Sequence, residues 1–146
     1  MIWNLYINQK AVVRQGSDIS EDCDIGRVVR QGCCLSPVLF SMYADAMMDE
    51  AMEGLDEGIK VGGRAIHDLR FADDQAMIGR TEKGLHNIMD RVNESAKEYN
   101  MKINVKKTKV MKVAREKGTV NLIIDNQKVD KVESYKYLGN TGTDRV

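Results

Sequence analysis

The sequence predicts an α+β fold in which an antiparallel sheet packs on two main helices. Two stretches, from Ser36 to Glu53 and from Thr81 to Tyr99, carry apolar residues at helical spacing. Around them stand short apolar runs of strand length, separated by turns rich in glycine and asparagine. Helices and strands are mixed without regular βαβ alternation, so an antiparallel sheet is expected. With 146 residues, 42% of them hydrophobic, the chain has material for one domain, 1–146, with a real core.

Ile2 to Ile7, with Trp3 and Tyr6, reads as the tail of an element that begins further upstream. Ala11-Val12-Val13 and Ile25 to Val29 flank a polar stretch from Gln15 to Asp24, where Gly16 and Ser17 signal the turn of a β-hairpin. A loop, Arg30 to Leu35, then leads into the first helix. Ser36 suits its cap, and Pro37 suits its first turn, where a missing N–H costs nothing. Leu39, Phe40, Tyr43, Met47 and Ala51 predict one buried face through about Glu53, and Gly54 and Gly58 end the helix. Ile59 to Val61 reads as a short strand before a Gly62-Gly63 turn.

In the second helix Thr81 is the cap, and Leu85, Ile88, Met89, Val92, Ala96 and Tyr99 form the apolar stripe. A methionine in such a stripe is core material. Thr108 to Ala114, Val120 to Ile124 and Lys128 to Leu138 read as strands. Gly118 and Asp125-Asn126 supply the turns, the second a two-residue hairpin loop.

Between the helices stands Phe71-Ala72-Asp73-Asp74, with strand-length flanks Ile66 to Arg70 and Gln75 to Gly79. The local reading is a hairpin with two carboxylates at its tip, a site suited to a hard cation such as Mg²⁺. Aspartate also serves turns for its own reasons, closing Asx-turns and tolerating unusual backbone angles, so a plain solvated turn is the alternative.

Charge is balanced overall, with 22 basic and 22 acidic side chains, but unevenly placed. Six acids and no bases lie between Tyr43 and Glu57, and eight bases with two acids lie between Lys97 and Lys117. A basic face beside a carboxylate site suits a phosphate-bearing ligand; two solvated faces are the alternative. Cys23, Cys33 and Cys34 form no paired metal spacing and no secreted disulfide framework, so reduced thiols are expected. No apolar run approaches a membrane span and no signal pattern opens the chain, so an intracellular site, nucleus or cytoplasm, with no membrane partner, is the expectation. His67 and His86 lack ligand spacing and a nucleophile partner.

Four segments in order, Arg30-Gln31-Gly32-Cys33 through Leu35-Ser36-Pro37-Val38-Leu39-Phe40, then Phe71-Ala72-Asp73-Asp74, then Met101-Lys102-Ile103-Asn104 through Lys106-Lys107-Thr108-Lys109, and last Tyr135-Lys136-Tyr137-Leu138-Gly139, together resemble the palm of reverse transcriptases from non-long-terminal-repeat retrotransposons. The resemblance covers nearly the whole chain and implies a polymerase palm-like sheet on two helices, a partial reverse transcriptase domain. It implies that Asp73 and Asp74 are catalytic and metal-binding, two members of a carboxylate triad that holds two Mg²⁺ ions, with Mn²⁺ as an alternative. Arg30, Gln31, Gly32 and Lys107 would meet the nucleotide and template. Phe71, Ala72, Tyr137, Leu138 and Gly139 would meet the primer. The implied partners are an RNA template, a DNA primer and a dNTP. Physics agrees: two-metal transfer needs ions about 3.5 to 4 Å apart, and carboxylates converging at a tight turn can serve that geometry.

The departures set a second expectation. The family carries an essential Asp upstream of the loop, and Asp18, Asp22 and Asp24 stand in turn-like surroundings unlike that motif. Fingers, first palm motif and thumb are expected to be missing, and Cys34 stands where proline is frequent. The isolated chain is therefore expected to be inactive; the alternative is a non-catalytic retroelement remnant with at most weak nucleic-acid binding. An intron-encoded maturase or a viral RNA-copying enzyme fits less well, because of Arg30 and Ala72 respectively.

Overall fold

The computed structural model describes residues 6–26, 32–114 and 118–143, and their architecture is α+β. The chain forms two compact units, Met1–Met42 and Tyr43–Val146. In the first, strand β1 (Gln9–Ala11) pairs antiparallel with β4 (Cys23–Ile25), Lys10 opposite Asp24. Beyond them β2 (Arg14–Gln15) pairs with β3 (Asp18–Ile19) around a turn at Gly16, whose φ is +63°. The expected hairpin is present, but Val12 and Val13 lie in a break in its ladder rather than in the strand. The N–H of Val13 donates to Ser20 Oγ and the N–H of Ser20 to the Val13 carbonyl, each at 2.9 Å, so side chain and backbone together bridge the break. Val28 and Val29, and the Ile2 to Leu5 part of the first apolar run, lie outside the described residues.

Helix α1 (Ser36–Met52) begins at the residue expected to cap it, within the usual one-residue ambiguity of helix ends. Ser36 is buried, its hydroxyl 3.2 Å from that of Tyr6. The buried line in the second unit is Ala44, Met47, Met48 and Ala51, which corrects the expected stripe: Tyr43 is 46% exposed. The reason is the partner. Helix α2 (Glu82–Glu98) lies against that line through Ile88, Val92 and Ala96. Tyr43 sits at the rim, its ring edge-on to Tyr99 and its hydroxyl donating to the Tyr99 carbonyl at 2.6 Å. Tyr43 meets Tyr99, at the end of α2, and Met47 accepts from Ser95, so residue numbers rise on α1 as they fall on α2, and the helices are antiparallel.

The second helix follows its sequence closely. Thr81 caps it by accepting the Gly84 N–H at 3.0 Å; Glu82 lies in the first turn and Lys97 in the last, each favourable to the helix dipole. Its other face supports a second core of Met89, Val110, Val120, Leu122, Ile124 and Val129. Val120, Leu122 and Ile124 alternate inward with period two.

The strands are shorter than expected, and the pairs do not join into one sheet among the described residues. β9 (Lys109–Val110), β10 (Ile123–Ile124), β11 (Gln127–Lys128), β12 (Asp130–Lys131) and β13 (Ser134–Tyr137) stand where the three long runs were expected, and β14 (Asn140–Thr143) lies beyond them. The segment 127–137 changes partner along its length. β11 pairs with β10 across Asp125-Asn126, both at positive φ as a type I′ turn requires; β12 pairs parallel with β9, and β13 pairs with β14. The other pairs are antiparallel, as expected. β5 (Ile59–Val61) and β6 (Arg64–Ile66) close around Gly62-Gly63, at φ +58° and +81°.

Candidate active site

The acidic hairpin consists of β7 (Asp68–Phe71) and β8 (Asp74–Met77), in the register Asp68 to Met77, Leu69 to Ala76, Arg70 to Gln75 and Phe71 to Asp74. Its first arm is shorter than expected, because Ile66 belongs to β6. Ala72 and Asp73 make the two-residue turn, which leaves Asp73 at the tip and Asp74 as the first residue of the returning strand. Both acids are exposed. Ala72 has φ +51°, in the left-handed region that glycine enters without penalty and alanine does not. Strain of this kind persists only where the surroundings or the function demand it. Ala72→Gly is expected to raise stability by up to about 1 kcal/mol, relief of the turn exceeding the entropy glycine adds to the unfolded chain. Urea unfolding checks this, and a lower midpoint would show the turn to be unstrained.

Alternation along the strands gives the hairpin two faces. Leu69, Phe71 and Asp74 are exposed on one, while Asp68, Arg70, Gln75 and Met77 are half-buried on the other. Phe71 is 60% exposed, an unusual setting for a phenyl ring in a small domain.

A second hairpin meets the first. β13 and β14 turn through Leu138 and Gly139, at φ +49° and +85°, and the Tyr137 hydroxyl shares its proton between the carbonyls of Leu69, at 3.2 Å, and Asp74, at 3.1 Å. One hydroxyl thus touches both strands of the acidic hairpin. Burial, with the charge of Asp74, raises the Tyr137 pKa above its ordinary value, so the hydroxyl stays a donor. The structure therefore joins the hairpin that carries Phe71, Ala72, Asp73 and Asp74 to the one that carries Tyr137, Leu138 and Gly139, through the Tyr137 hydroxyl.

Other expected site residues stand apart. Arg30 and Gln31 lie outside the described residues; Gly32, at φ +82°, belongs to the first unit. Lys107 is exposed in a turn where its N–H donates to the Asn104 carbonyl at 3.0 Å, and among the described residues no hydrogen bond or ion pair links it to the acidic hairpin. The basic run is partly neutralised by partners: Lys97 meets Asp125 at 2.5 Å and Lys109 meets Asp130 at 2.7 Å. These contacts hold Asp125 and Asp130 below the usual carboxylate pKa.

Arg70 escaped the sequence reading. Its guanidinium binds Asp68 on its own strand, Asp49 at 2.8 Å and Asp45 at 3.5 Å on α1. Partial burial works against its charge, but the hydrogen bonds to Asp68 and Asp49 outweigh that, and its pKa is raised. The signal was available: Asp45 and Asp49 stand four apart on one helix face, a repulsive pair that calls for a cation.

Among the described residues no helix is long and apolar enough to cross a membrane, and no group of three His, Cys, Asp or Glu side chains converges to hold a metal ion. The family model for reverse transcriptase (RNA-dependent DNA polymerase) matches residues 1–141. The chain is 29% identical to the retrovirus-related Pol polyprotein from type-1 retrotransposable element R2 of Nasonia vitripennis, over 77% of this chain and 12% of that protein. It is 26% identical to the retrovirus-related Pol polyprotein from type-2 retrotransposable element R2DM of Drosophila melanogaster, over 87% of this chain and 13% of that protein. The chain spans about an eighth of the length of these curated relatives.

Proposed function

The chain belongs to the reverse transcriptase family, in the branch found in non-long-terminal-repeat elements, and from that premise we propose that residues 1–146 form part of the palm of an RNA-directed DNA polymerase. The reaction is transfer of a nucleotide from a dNTP to a primer 3′-hydroxyl on an RNA template. The contact that carries this reading is the Tyr137 hydroxyl on the Leu69 and Asp74 carbonyls, which ties the 134–143 hairpin to the acidic one. It supports one working surface built from two distant motifs.

Asp73 and Asp74 are the residues that would hold divalent metal. Two exposed, adjacent carboxylates are hard oxygen donors that suit one partly hydrated Mg²⁺, or Mn²⁺ in its place. Two such ions, when bound, assist deprotonation of the primer hydroxyl and stabilise the leaving pyrophosphate. The family's triad has a third member, and because Asp18, Asp22 and Asp24 lie in turn-like sequence unlike its motif, we assign that member to none of those three. Phe71 and Leu138 give apolar surface on which a primer terminus rests, and the small side chain of Ala72 leaves room for it. Gly32, with Arg30 and Gln31 beside it in sequence, lets backbone approach a base or sugar. Lys107 meets phosphate, where charge rather than sequence supplies the affinity.

The test is a graft. This chain is set in place of the matching stretch of the Nasonia protein, and extension of a DNA primer on an RNA template is measured beside the chain alone. The graft is expected to extend the primer and the chain alone to leave it unextended. Extension by the chain alone would overturn the assignment of the third carboxylate. A well-folded graft that binds primer and template without extending would favour the non-catalytic reading, which rests on the unlikeness of Asp18, Asp22 and Asp24 to the family's upstream motif.

A further inference from the structure

The acidic hairpin has no third strand beside it among the described residues, and an isolated two-stranded hairpin is marginal in water. Tyr137 ties its strands to the 134–143 hairpin, and on the inner face, toward α1, the tip keeps a fixed place only if side chains anchor it. At its base the N–H of Ile78 donates to the His67 carbonyl at 2.6 Å, which steadies the foot but not the tip. Arg70 is one residue from the pair Phe71 and Asp74 that closes the turn, so it is the inward side chain nearest the acids on its strand.

We infer that Arg70 is a positioning residue of the acid pair: it bolts the inner face of the hairpin to helix α1 through Asp45 and Asp49, and so sets where Asp73 and Asp74 stand relative to that helix. This deepens the polymerase reading and rests on it. The guanidinium suits the task because its planar fork addresses several oxygens in fixed directions, which a lysine ammonium does not. Asp68 aims the fork from its own strand, and Asp45 and Asp49, one helical turn apart, receive it. The Arg70 side chain is 24% exposed but Asp45 and Asp49 are 59% and 75% exposed, so what these pairs supply is direction, from several oxygens on one fork, rather than a large energy. The other role open to it is electrostatic, a positive charge that merely lowers the affinity of nearby acids for a cation. The two roles predict opposite signs.

The experiment measures Mn²⁺ binding to the full chain by electron paramagnetic resonance, together with amide hydrogen exchange, for wild type, Asp73→Asn, Arg70→Lys and Arg70→Met. Asp73→Asn reports whether the ion sits at the acid pair. Positioning predicts that both Arg70 variants weaken Mn²⁺ binding, by about tenfold as for other residues that orient metal ligands. It also predicts faster exchange at residues 72–77 while α2 stays protected. The field role predicts unchanged binding in Arg70→Lys and tighter binding in Arg70→Met. Either of those results, or unchanged hairpin exchange in Arg70→Lys, overturns the inference. Mn²⁺ binding that ignores Asp73→Asn would instead overturn the acid-pair reading, and hairpin exchange would still decide whether Arg70 bolts the hairpin.

Discussion

Asp73→Asn in the grafted polymerase is expected to lower RNA-templated extension by about a hundredfold or more, the scale seen when one preorganised charge-stabilising group is removed from an active site. The substitution isolates the chemistry. Asparagine has nearly the shape of aspartate and serves turns equally well, so the two-residue turn after Ala72 should close as before. Because the side chain is exposed and no ion pair to it is present among the described residues, stability is expected to stay within about 0.5 kcal/mol of wild type. What disappears is one negative charge from the pair that holds the cation. Asp74→Asn should act similarly, since Tyr137 bonds to the backbone carbonyl of Asp74 and that bond survives the change. Primer extension at saturating dNTP, with a thermal melt on each variant, is the measurement. Extension within about tenfold of the unmutated graft would remove Asp73 from the chemistry, since that is far short of the loss a metal-holding carboxylate should produce.

Much of this arrangement was legible in the sequence, for local reasons. Thr81 and the stripe from Leu85 to Tyr99 fixed α2 because capping and helical period act within a few residues. Gly62-Gly63 and Asp125-Asn126 marked their hairpins because few residues accept positive φ. The acid hairpin was placed with its tip at the aspartates, although its first arm was drawn too long. What could not be read was partner choice. The segment 127–137 has no glycine or proline to divide it and reads as one run, yet it pairs with three different strands, one of them parallel, because pairing depends on where distant residues arrive. The buried face of α1 was misjudged for the same reason. Its apolar residues are spread well beyond one stripe, so the position of α2, rather than periodicity, selects Ala44 and Met48 over Tyr43. Arg70 was missed because its three partners span two elements, and the Tyr137 contact because it joins residues 63 and 68 positions apart.

Ile88→Ala is expected to destabilise the second unit by about 2 to 5 kcal/mol, a large part of the total stability of a small domain. Ile88 has no exposed surface and lies in the cluster with Met47, Met48, Ala51, Val92 and Ala96. Truncation to the methyl group removes three buried carbons and leaves a void on the seam between α1 and α2. Met48 is unbranched and also fully buried, so it can swing partly into the space, which places the expected loss in the lower half of that range. The seam matters beyond stability, because α1 also carries Asp45 and Asp49, the anchors of Arg70. Loosening it should therefore speed exchange at residues 72–77 before the unit unfolds as a whole, although Ile88 is no part of the hairpin. Urea unfolding followed by circular dichroism gives the loss, with Glu94→Ala on the exposed side of α2 as the control expected within about 0.5 kcal/mol of wild type. A loss under about 1 kcal/mol for Ile88→Ala would mean that the two helices do not meet along this line, since a close-packed seam cannot lose an isoleucine so cheaply.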